Sequence, residues 1–196
     1  MGEGAVSLPP GFHFFSGWMS TAQADALFAR VLAEASWEDP VIRMVGRSVA
    51  IPRRVAFYGP FAYAYSGVLH PARALPPWLS ELRGRVEQTA GHPLNTVLLN
   101  LYRSGADSVS WHSDDDYPHG GHPAVASLSL GAMRRFLIAH KRQRSARYAL
   151  DLTSGSLLVM EGRSQIDFRH ALPKSATVTE ARVNLTFRYM AASNAG

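Results

Sequence analysis

Strict alternation of polar and apolar side chains marks the segment Arg182-Val183-Asn184-Leu185-Thr186-Phe187-Arg188. Successive residues of a β-strand point to opposite faces, so the two arginines, the asparagine and the threonine share one face of this strand. Burying two guanidinium groups inside a barrel is costly unless an anion neutralises them, and a dicarboxylate would do so. The alternative is an edge strand whose polar face meets water.

A second strand with the same alternation lies over Thr96 to Arg103, where Asn100 and Tyr102 share a face opposite Val97, Leu99 and Leu101. Further short apolar or alternating segments follow it, separated by turns that contain Gly, Pro or Ser. These segments predict strands over Ala124 to Gly131, Arg135 to Lys141, Tyr148 to Leu152, Ser156 to Glu161 and Arg182 to Met190.

Two helices are predicted ahead of these strands. Ser20-Thr21-Ala22-Gln23 has the spacing of a capping box, and the apolar periodicity after it predicts a helix over about 20–36. Pro76-Pro77 begins and Gly91 ends a second periodic segment. Helices followed by strands indicate a mainly β fold with flanking helices (α+β), in which the helices pack on one side of a β-sandwich or jelly roll.

The composition limits the class of protein. A chain of 196 residues that is 46% hydrophobic can bury one core, so we predict a single domain over 1–196. It contains no cysteine, no leader of signal-peptide type and no apolar run long enough to cross a membrane. We therefore expect a soluble, cytoplasmic protein. The net charge of +5 favours a polyanionic partner, with nucleic acid the leading candidate.

A metal site is the hypothesis for His112-Ser113-Asp114, which places an imidazole and a carboxylate two residues apart in an extended segment. A capped turn or a surface pair would give the same spacing. The third ligand would come from elsewhere in the chain. His170 is the best candidate because it precedes the strand with two arginines, whereas the other histidines lie near loops, helix ends or charged turns.

Taken together, these residues resemble the AlkB family of nucleic-acid demethylases, and in particular its DNA-repair branch. The closing Asn-Leu-Thr-Phe-Arg run is the most specific signature, and the resemblance covers roughly 42–190. It is carried by Pro52-Arg53-Arg54, Tyr58-Gly59, Tyr65-Ser66-Gly67, Asn100-Leu101-Tyr102, His112-Ser113-Asp114, Ala126-Ser127-Leu128-Ser129-Leu130-Gly131, Gly155-Ser156-Leu157-Leu158-Val159-Met160, His170 and Arg182 to Arg188.

The resemblance implies a double-stranded β-helix, the cupin-like form of the jelly roll. It also implies a dioxygenase that uses iron(II), 2-oxoglutarate and O2 to demethylate bases such as 1-methyladenine and 3-methylcytosine in DNA, releasing formaldehyde and succinate. By position, iron would be held by His112, Asp114 and His170. The residues that would bind 2-oxoglutarate are Asn100, Tyr102, Arg182, Asn184, Thr186 and Arg188.

The resemblance also divides the chain, with 1–41 as an N-terminal preamble and helix and about 42–75 as a nucleotide-recognition region. Tyr65 would stack on the flipped base opposite His112, and the carboxylates of Asp115 and Asp116 would favour cationic, methylated bases. A core tyrosine and a solvated acidic turn are the alternatives. The full set of predicted substrate contacts is Tyr65, Asp115, Asp116, Tyr63, Arg54, Met44 and Val45.

Met44-Val45-Gly46 falls where duplex-repairing relatives carry an apolar wedge, and here the wedge is aliphatic. This departure from the family pattern favours single-stranded DNA or RNA over duplex DNA. The expected partner is DNA, single- or double-stranded, with RNA left open, and the protein is expected to be a monomer. Phosphate contacts are available at Arg53-Arg54, Arg134-Arg135 and Lys141-Arg142-Gln143-Arg144, although each could be ordinary surface charge. The same chemistry on RNA or protein, and a non-catalytic nucleic-acid-binding jelly roll, are the alternative functions.

Overall fold

The structure is a computed structural model that describes residues 7–44, 47–65, 68–114 and 124–191, without the side chains of 42–49 and 63–68. Three helices lie in these ranges, at α1 (Thr21–Glu34), α2 (Pro77–Ala90) and α3 (Ser164–Asp167). The strands are β1 (Phe12–Phe15), β2 (Val41–Met44), β3 (Arg47–Ala50), β4 (Arg54–Tyr58), β5 (Tyr63–Tyr65), β6 (Val68–His70), β7 (Thr96–Tyr102), β8 (Val109–His112), β9 (Val125–Gly131), β10 (Arg134–His140), β11 (Arg147–Leu152), β12 (Leu157–Met160), β13 (Phe168–Leu172) and β14 (Arg182–Arg188).

The two long helices begin and end where the sequence predicts. Ser20 caps α1 because its hydroxyl accepts a hydrogen bond from the Gln23 N–H, and the Gln23 side chain returns to the Ser20 backbone. Proline at the first helical position starts α2. Gly91 ends α2 in the left-handed region, at φ 68°, which glycine adopts without a side-chain clash.

Two antiparallel sheets face each other. The six-stranded major sheet has the order β1-β12-β9-β14-β7-β4, and the four-stranded minor sheet has the order β11-β10-β13-β8. This is the predicted jelly-roll arrangement. The strand β14 lies between β9 and β7 in the middle of the major sheet, so the alternative of a solvent-facing edge strand for Arg182–Arg188 is wrong.

The helices cover the outer face of the major sheet. The alternate apolar residues of β7 and β14 point to this side, as their sequence pattern predicts, and pack against apolar residues of α1 and α2. This cluster includes Val97, Leu99, Leu101, Val183, Leu185, Phe187, Val31, Leu79, Leu82 and Val86. The polar residues of the same strands are thereby turned toward the space between the sheets.

Several elements differ from the sequence-based prediction. Phe12–Phe15, placed in the preamble, forms β1, the edge strand that pairs with β12. Two hairpins, β2-β3 and β5-β6, occupy the segment ahead of α2. The short helix α3 and the strand β13, which carries His170, are further elements that the sequence-based prediction does not include. Among the described helices, none is long and apolar enough to span a membrane.

Candidate active site

Three side chains from the minor sheet converge at its inner face. His112 ends β8, His170 lies on β13 as its direct register partner, and Asp114 follows two residues after His112. Nε2 of His112 lies 3.9 Å from Oδ1 of Asp114, and Nε2 of His170 lies 3.6 Å from Oδ2. One nitrogen or oxygen from each residue falls within 4.8 Å of the others, so a single metal ion could contact all three.

A β-bulge turns His112 inward. The register between β8 and β13 pairs His112 with His170 and Val109 with Leu172, so two residues of β8 oppose one of β13. Both His112 and Val109 can therefore face the pocket. The Ser110 carbonyl accepts a hydrogen bond of 2.7 Å from Nδ1 of His112, which places the proton on Nδ1 and leaves the Nε2 lone pair directed at Asp114.

His170 is held neutral by burial. Removal from water lowers the pKa of its imidazole from 6.5 to about 4, against the opposing effect of the nearby Asp114 carboxylate. The ring also lies 5.2 Å from the Phe136 ring, centroid to centroid. A neutral imidazole keeps the lone pair that a metal ion requires, so no proton has to leave His170 at neutral pH.

Asp114 is fixed both at its carboxylate and at its backbone. Nη2 of Arg188, from β14 of the opposite sheet, donates a short hydrogen bond to its Oδ1. The backbone N–H of Asp114 donates to Oε1 of Gln165 over 2.9 Å, and Gln165 is buried on α3. The ion pair between Arg188 and Asp114 joins the two sheets at the metal-binding cluster.

A second cation, Arg182, lies further along the same pocket and is almost completely buried. Its Nη2 donates to the Ser129 hydroxyl over 2.9 Å, and its guanidinium carbon lies 5.3 Å from the centroid of the Tyr102 ring. No described residue accepts a hydrogen bond from its Nε. Burial lowers the pKa of Arg182 to about 10, so the group remains charged at neutral pH and lacks a carboxylate partner among the described residues.

The polar wall between the two arginines is internally hydrogen-bonded. Thr186 donates its hydroxyl to Oδ1 of Asn184, whose amide donates to the Ser127 hydroxyl. Nε of Arg53 donates to Oδ1 of Asn100 over 2.8 Å. These groups line one cavity of about 570 Å³, including the part open to solvent, together with the metal-binding cluster and Arg182. All six residues predicted to bind 2-oxoglutarate are therefore brought to this cavity.

Two of the predicted phosphate contacts are wrong. Arg53, the residue directly before β4, is only 6% exposed, and its side chain lines the cavity. Arg134 is buried too, and it donates to the backbone carbonyls of Ser104, Asp107 and Pro173. Both side chains make hydrogen bonds inside the protein and cannot reach a phosphate at the surface.

The predicted substrate contacts either do not line this cavity or lie among residues whose side chains are not described. Nε of Arg54 lies 3.2 Å from Oδ1 of Asp39, and Arg54 does not line the cavity. Met44 ends β2 and the strand β5 carries the predicted tyrosines, but these side chains are not described. Val45, Asp115 and Asp116 lie outside the described residues. The side chains of Met44, Tyr63 and Tyr65 are not described either.

The other described histidines have partners elsewhere. His13 and His92 bind the two carboxylate oxygens of Glu161, each at 2.9 Å. His70 is 3.1 Å from Glu38, and Nδ1 of His140 accepts hydrogen bonds from the backbone of the turn after β10. Choosing His170 among the histidines is therefore consistent with the geometry of the described residues.

Sequence reasoning missed four residues of this site. Ser127 and Ser129 receive hydrogen bonds from Asn184 and Arg182, and their alternation with apolar residues along β9 was a usable signal. Arg53 was assigned to the surface because the sequence does not indicate which of the two adjacent arginines, Arg53 or Arg54, points inward. Gln165 gave no signal, since its contact with Asp114 joins residues 51 positions apart.

A family model described as the 2OG-Fe(II) oxygenase superfamily matches residues 11–188 of the sequence. The chain belongs to the 2OG-Fe(II) oxygenase superfamily. This family uses iron(II), 2-oxoglutarate and O2, so the predicted enzyme class and cofactors are confirmed. Two imidazoles and one carboxylate, with room left for a chelating cosubstrate, are also the donor set that suits iron(II) in such enzymes.

Curated relatives confirm the resemblance to the AlkB family. The human alpha-ketoglutarate-dependent dioxygenase alkB homolog 3 is 36% identical over 183 residues, covering 89% of this chain and 64% of the relative. The DNA oxidative demethylase ALKBH2 of Arabidopsis thaliana is 36% identical over 180 residues, covering 78% of this chain and 57% of the relative. The chain thus spans slightly less than two thirds of these proteins.

A solved structure shows the same fold. The structure of OsALKBH1 superposes with a TM-score of 0.67 over 93% of this chain and 100% of that chain, at 17% sequence identity. The fold class predicted from the sequence, a jelly roll with flanking helices, is therefore confirmed.

Proposed function

We propose that the protein removes methyl groups from ring nitrogens of damaged bases in DNA, with 1-methyladenine and 3-methylcytosine as substrates. The reaction would consume O2 and 2-oxoglutarate and release formaldehyde, succinate and carbon dioxide, leaving an N–H on the base. One observation carries the proposal, namely the cluster of His112, Asp114 and His170 in one cavity with Arg182. Relatives named as DNA demethylases support the choice of substrate.

His112, Asp114 and His170 would hold the iron, and bound iron(II) would supply the activation of O2 with 2-oxoglutarate that oxidises an N-methyl group. The protein's part is to present the three donors ready to bind. Ser110 fixes the His112 tautomer, and Gln165 and Arg188 fix Asp114. Burial keeps His170 neutral.

The two arginines of β14 would have different tasks. Arg188 already has an anionic partner in Asp114, whereas Arg182 is charged, buried and without a carboxylate among the described residues. A carboxylate of 2-oxoglutarate would supply the missing charge and accept the hydrogen bond that Nε can donate. We therefore assign Arg182, beside Tyr102, to the end of the cosubstrate remote from the metal.

The base would enter at His112. The His112 side chain is 29% exposed, whereas those of Asp114 and His170 are 9% and 6% exposed, so the cluster opens to solvent on the His112 side. Asp115 and Asp116 directly follow Asp114 in the sequence. Their carboxylates would favour a positively charged methylated base over a neutral normal base.

Formaldehyde release tests this function. The chain would be incubated with iron(II), 2-oxoglutarate and oligonucleotides that carry 1-methyladenine or 3-methylcytosine, as single-stranded DNA, double-stranded DNA and RNA. Release from the DNA strands, absent in Asp114→Ala, is expected. Asp151→Asn is the matched control, because Asp151 also pairs with an arginine but lies on the exposed face of the minor sheet. Release from RNA alone, or from no strand, would refute the proposed substrate.

A further inference from the structure

Positive charge is compensated unevenly over this protein. Many exposed arginines form ion pairs, as Arg135 does with Asp151 and Arg163 with Asp167. Other exposed cations have no carboxylate oxygen within 4.0 Å in the described part of the chain. These are Arg85, Arg142, Arg144, Arg147, Arg169 and Lys174.

Uncompensated charge is concentrated on the minor sheet. Arg142 and Arg144 lie in the turn between β10 and β11, Arg147 begins β11, and Arg169 lies on β13. Arg147 and Arg169 are both register partners of Ala139, so they share one face of the sheet. Because the neighbouring His170 lines the cavity on the inner face, this is the outer face of the sheet. Two strand spacings, about 10 Å, separate the two arginines.

Trp111 extends this line to the edge strand β8. The guanidinium carbon of Arg169 lies 5.2 Å from the centroid of the Trp111 ring, and Trp111 is 41% exposed. The contact restricts the rotamers of Arg169, so less side-chain entropy is lost when the arginine binds a ligand. Trp111 directly precedes His112, so this outer-face row of Trp111, Arg169 and Arg147 starts beside the open side of the metal-binding cluster.

We propose that the outer-face row binds the sugar-phosphate backbone of a nucleic-acid strand where that strand leaves the catalytic cavity. The proposal rests on the proposed function, because it assumes a nucleic-acid substrate. Guanidinium groups bind phosphates through paired N–H donors, and an exposed indole offers a surface on which a base can stack. An acidic peptide would match the charge of the row but would have less use for the indole, so nucleic acid fits better.

Binding of an undamaged oligonucleotide tests the outer-face row. The full chain would be titrated into a labelled single strand of about 12 nucleotides, within the range of lengths that such surfaces bind. Arg147→Gln/Arg169→Gln should bind more weakly at low salt. Each lost phosphate contact lowers the slope of log affinity against log salt by about 0.7. Between about 50 and 200 mM salt, the double variant should therefore lose about sevenfold less affinity than the wild type.

The matched control is Arg85→Gln. Arg85 is also exposed, lacks a carboxylate partner among the described residues and lies over a tryptophan, with its guanidinium carbon 5.1 Å from the Trp18 ring centroid, but it belongs to α2. Arg85→Gln should bind like the wild type. Equal losses in both variants would overturn the assignment to the outer-face row.

A second comparison separates nucleic acid from protein. If polyglutamate of equal charge binds the wild type as tightly as the oligonucleotide and loses the same affinity in the double variant, the row is an acidic-peptide surface and the proposal is wrong. Failure of the proposed function would appear elsewhere, as absence of formaldehyde release by the wild type.

Discussion

Two arginines of the cavity look equivalent in the sequence but have different partners in the structure. Arg182 and Arg188 share a face of β14, but Arg188 pairs with the Asp114 carboxylate, while Arg182 donates to the Ser129 hydroxyl and has no carboxylate partner among the described residues. Arg182→Gln should therefore raise the KM for 2-oxoglutarate by about 10- to 100-fold, the range expected for one lost charged hydrogen bond. Measurement of succinate formation against 2-oxoglutarate concentration gives this value.

Arg188→Gln should affect a different quantity. Loss of this cation leaves Asp114 without its partner from the opposite sheet. The affinity for iron(II) and kcat should therefore fall, and the KM for 2-oxoglutarate should change less. Equal KM increases in the two variants would contradict the division of tasks. Arg135→Gln, which removes an exposed arginine paired with Asp151, is the control for loss of one positive charge.

His170 makes the stability of the metal-free protein depend on pH. Its pKa is about 4 in the folded protein and about 6.5 in the unfolded chain, so the unfolded chain binds more protons between these values. The free energy of unfolding should therefore fall as the pH decreases from about 6.5 to about 4, by about 3 kcal/mol from this residue. Urea unfolding of the wild type and of His170→Leu across this window measures the contribution, which should be missing in the variant.

At the scale of elements, the loop after β7 is fixed to the loop before β14. The backbone N–H of Gly105 donates to the Val178 carbonyl, and a Cβ at Gly105 would lie 2.0 Å from the Ser175 carbonyl oxygen. Gly105→Ala should therefore destabilise the protein by about 3 kcal/mol, because the two loops must separate. Gly84 of α2 has no atom within 4 Å of an added Cβ. Gly84→Ala should instead stabilise by about 1 kcal/mol through helix propensity, and urea unfolding distinguishes the two signs.

Elements with a regular period were predictable from the sequence. The capping box of α1, the proline and glycine at the ends of α2 and the alternation along β7 and β14 each act within a few residues, so local physics fixes them. The strand β1 was missed because Phe12–Phe15 is only four residues long, too short for its alternation to stand out in the sequence. The inward turn of His112 depends on a bulge defined by the pairing of β8 with β13, which no local pattern contains.

The candidate site was predictable where its residues share a strand. The alternation of β14 predicts that Asn184, Thr186 and both arginines face the cavity. His170 was chosen because it lies shortly before that strand in the sequence. Contacts between neighbouring strands, such as that of Arg53 with Asn100, depend on the three-dimensional arrangement and could not be predicted from the sequence. The roles of these residues in holding iron and 2-oxoglutarate remain predictions.

For the whole molecule, the proposed ligands would connect the two sheets. The metal-binding cluster belongs to the minor sheet and Arg182 to the major sheet, so iron(II) and 2-oxoglutarate bound together would bridge them. A ligand at 100 times its Kd should stabilise the folded protein by about 2.7 kcal/mol. Thermal unfolding without O2 should show a higher Tm with both ligands than with iron(II) alone, and Arg182→Gln should lose that increment. An unchanged Tm with both ligands would contradict the bridge.

The strand β1 also affects how copies of this protein behave toward one another. It covers β12 along Phe12–Phe15, while Glu161, beside the end of β12, binds His13 of β1. Without β1, the backbone donors and acceptors of β12 would lie open as a template for a strand from another molecule. Because β12 is entirely apolar, we expect shortened versions that begin after Phe15 to aggregate more readily than the full chain.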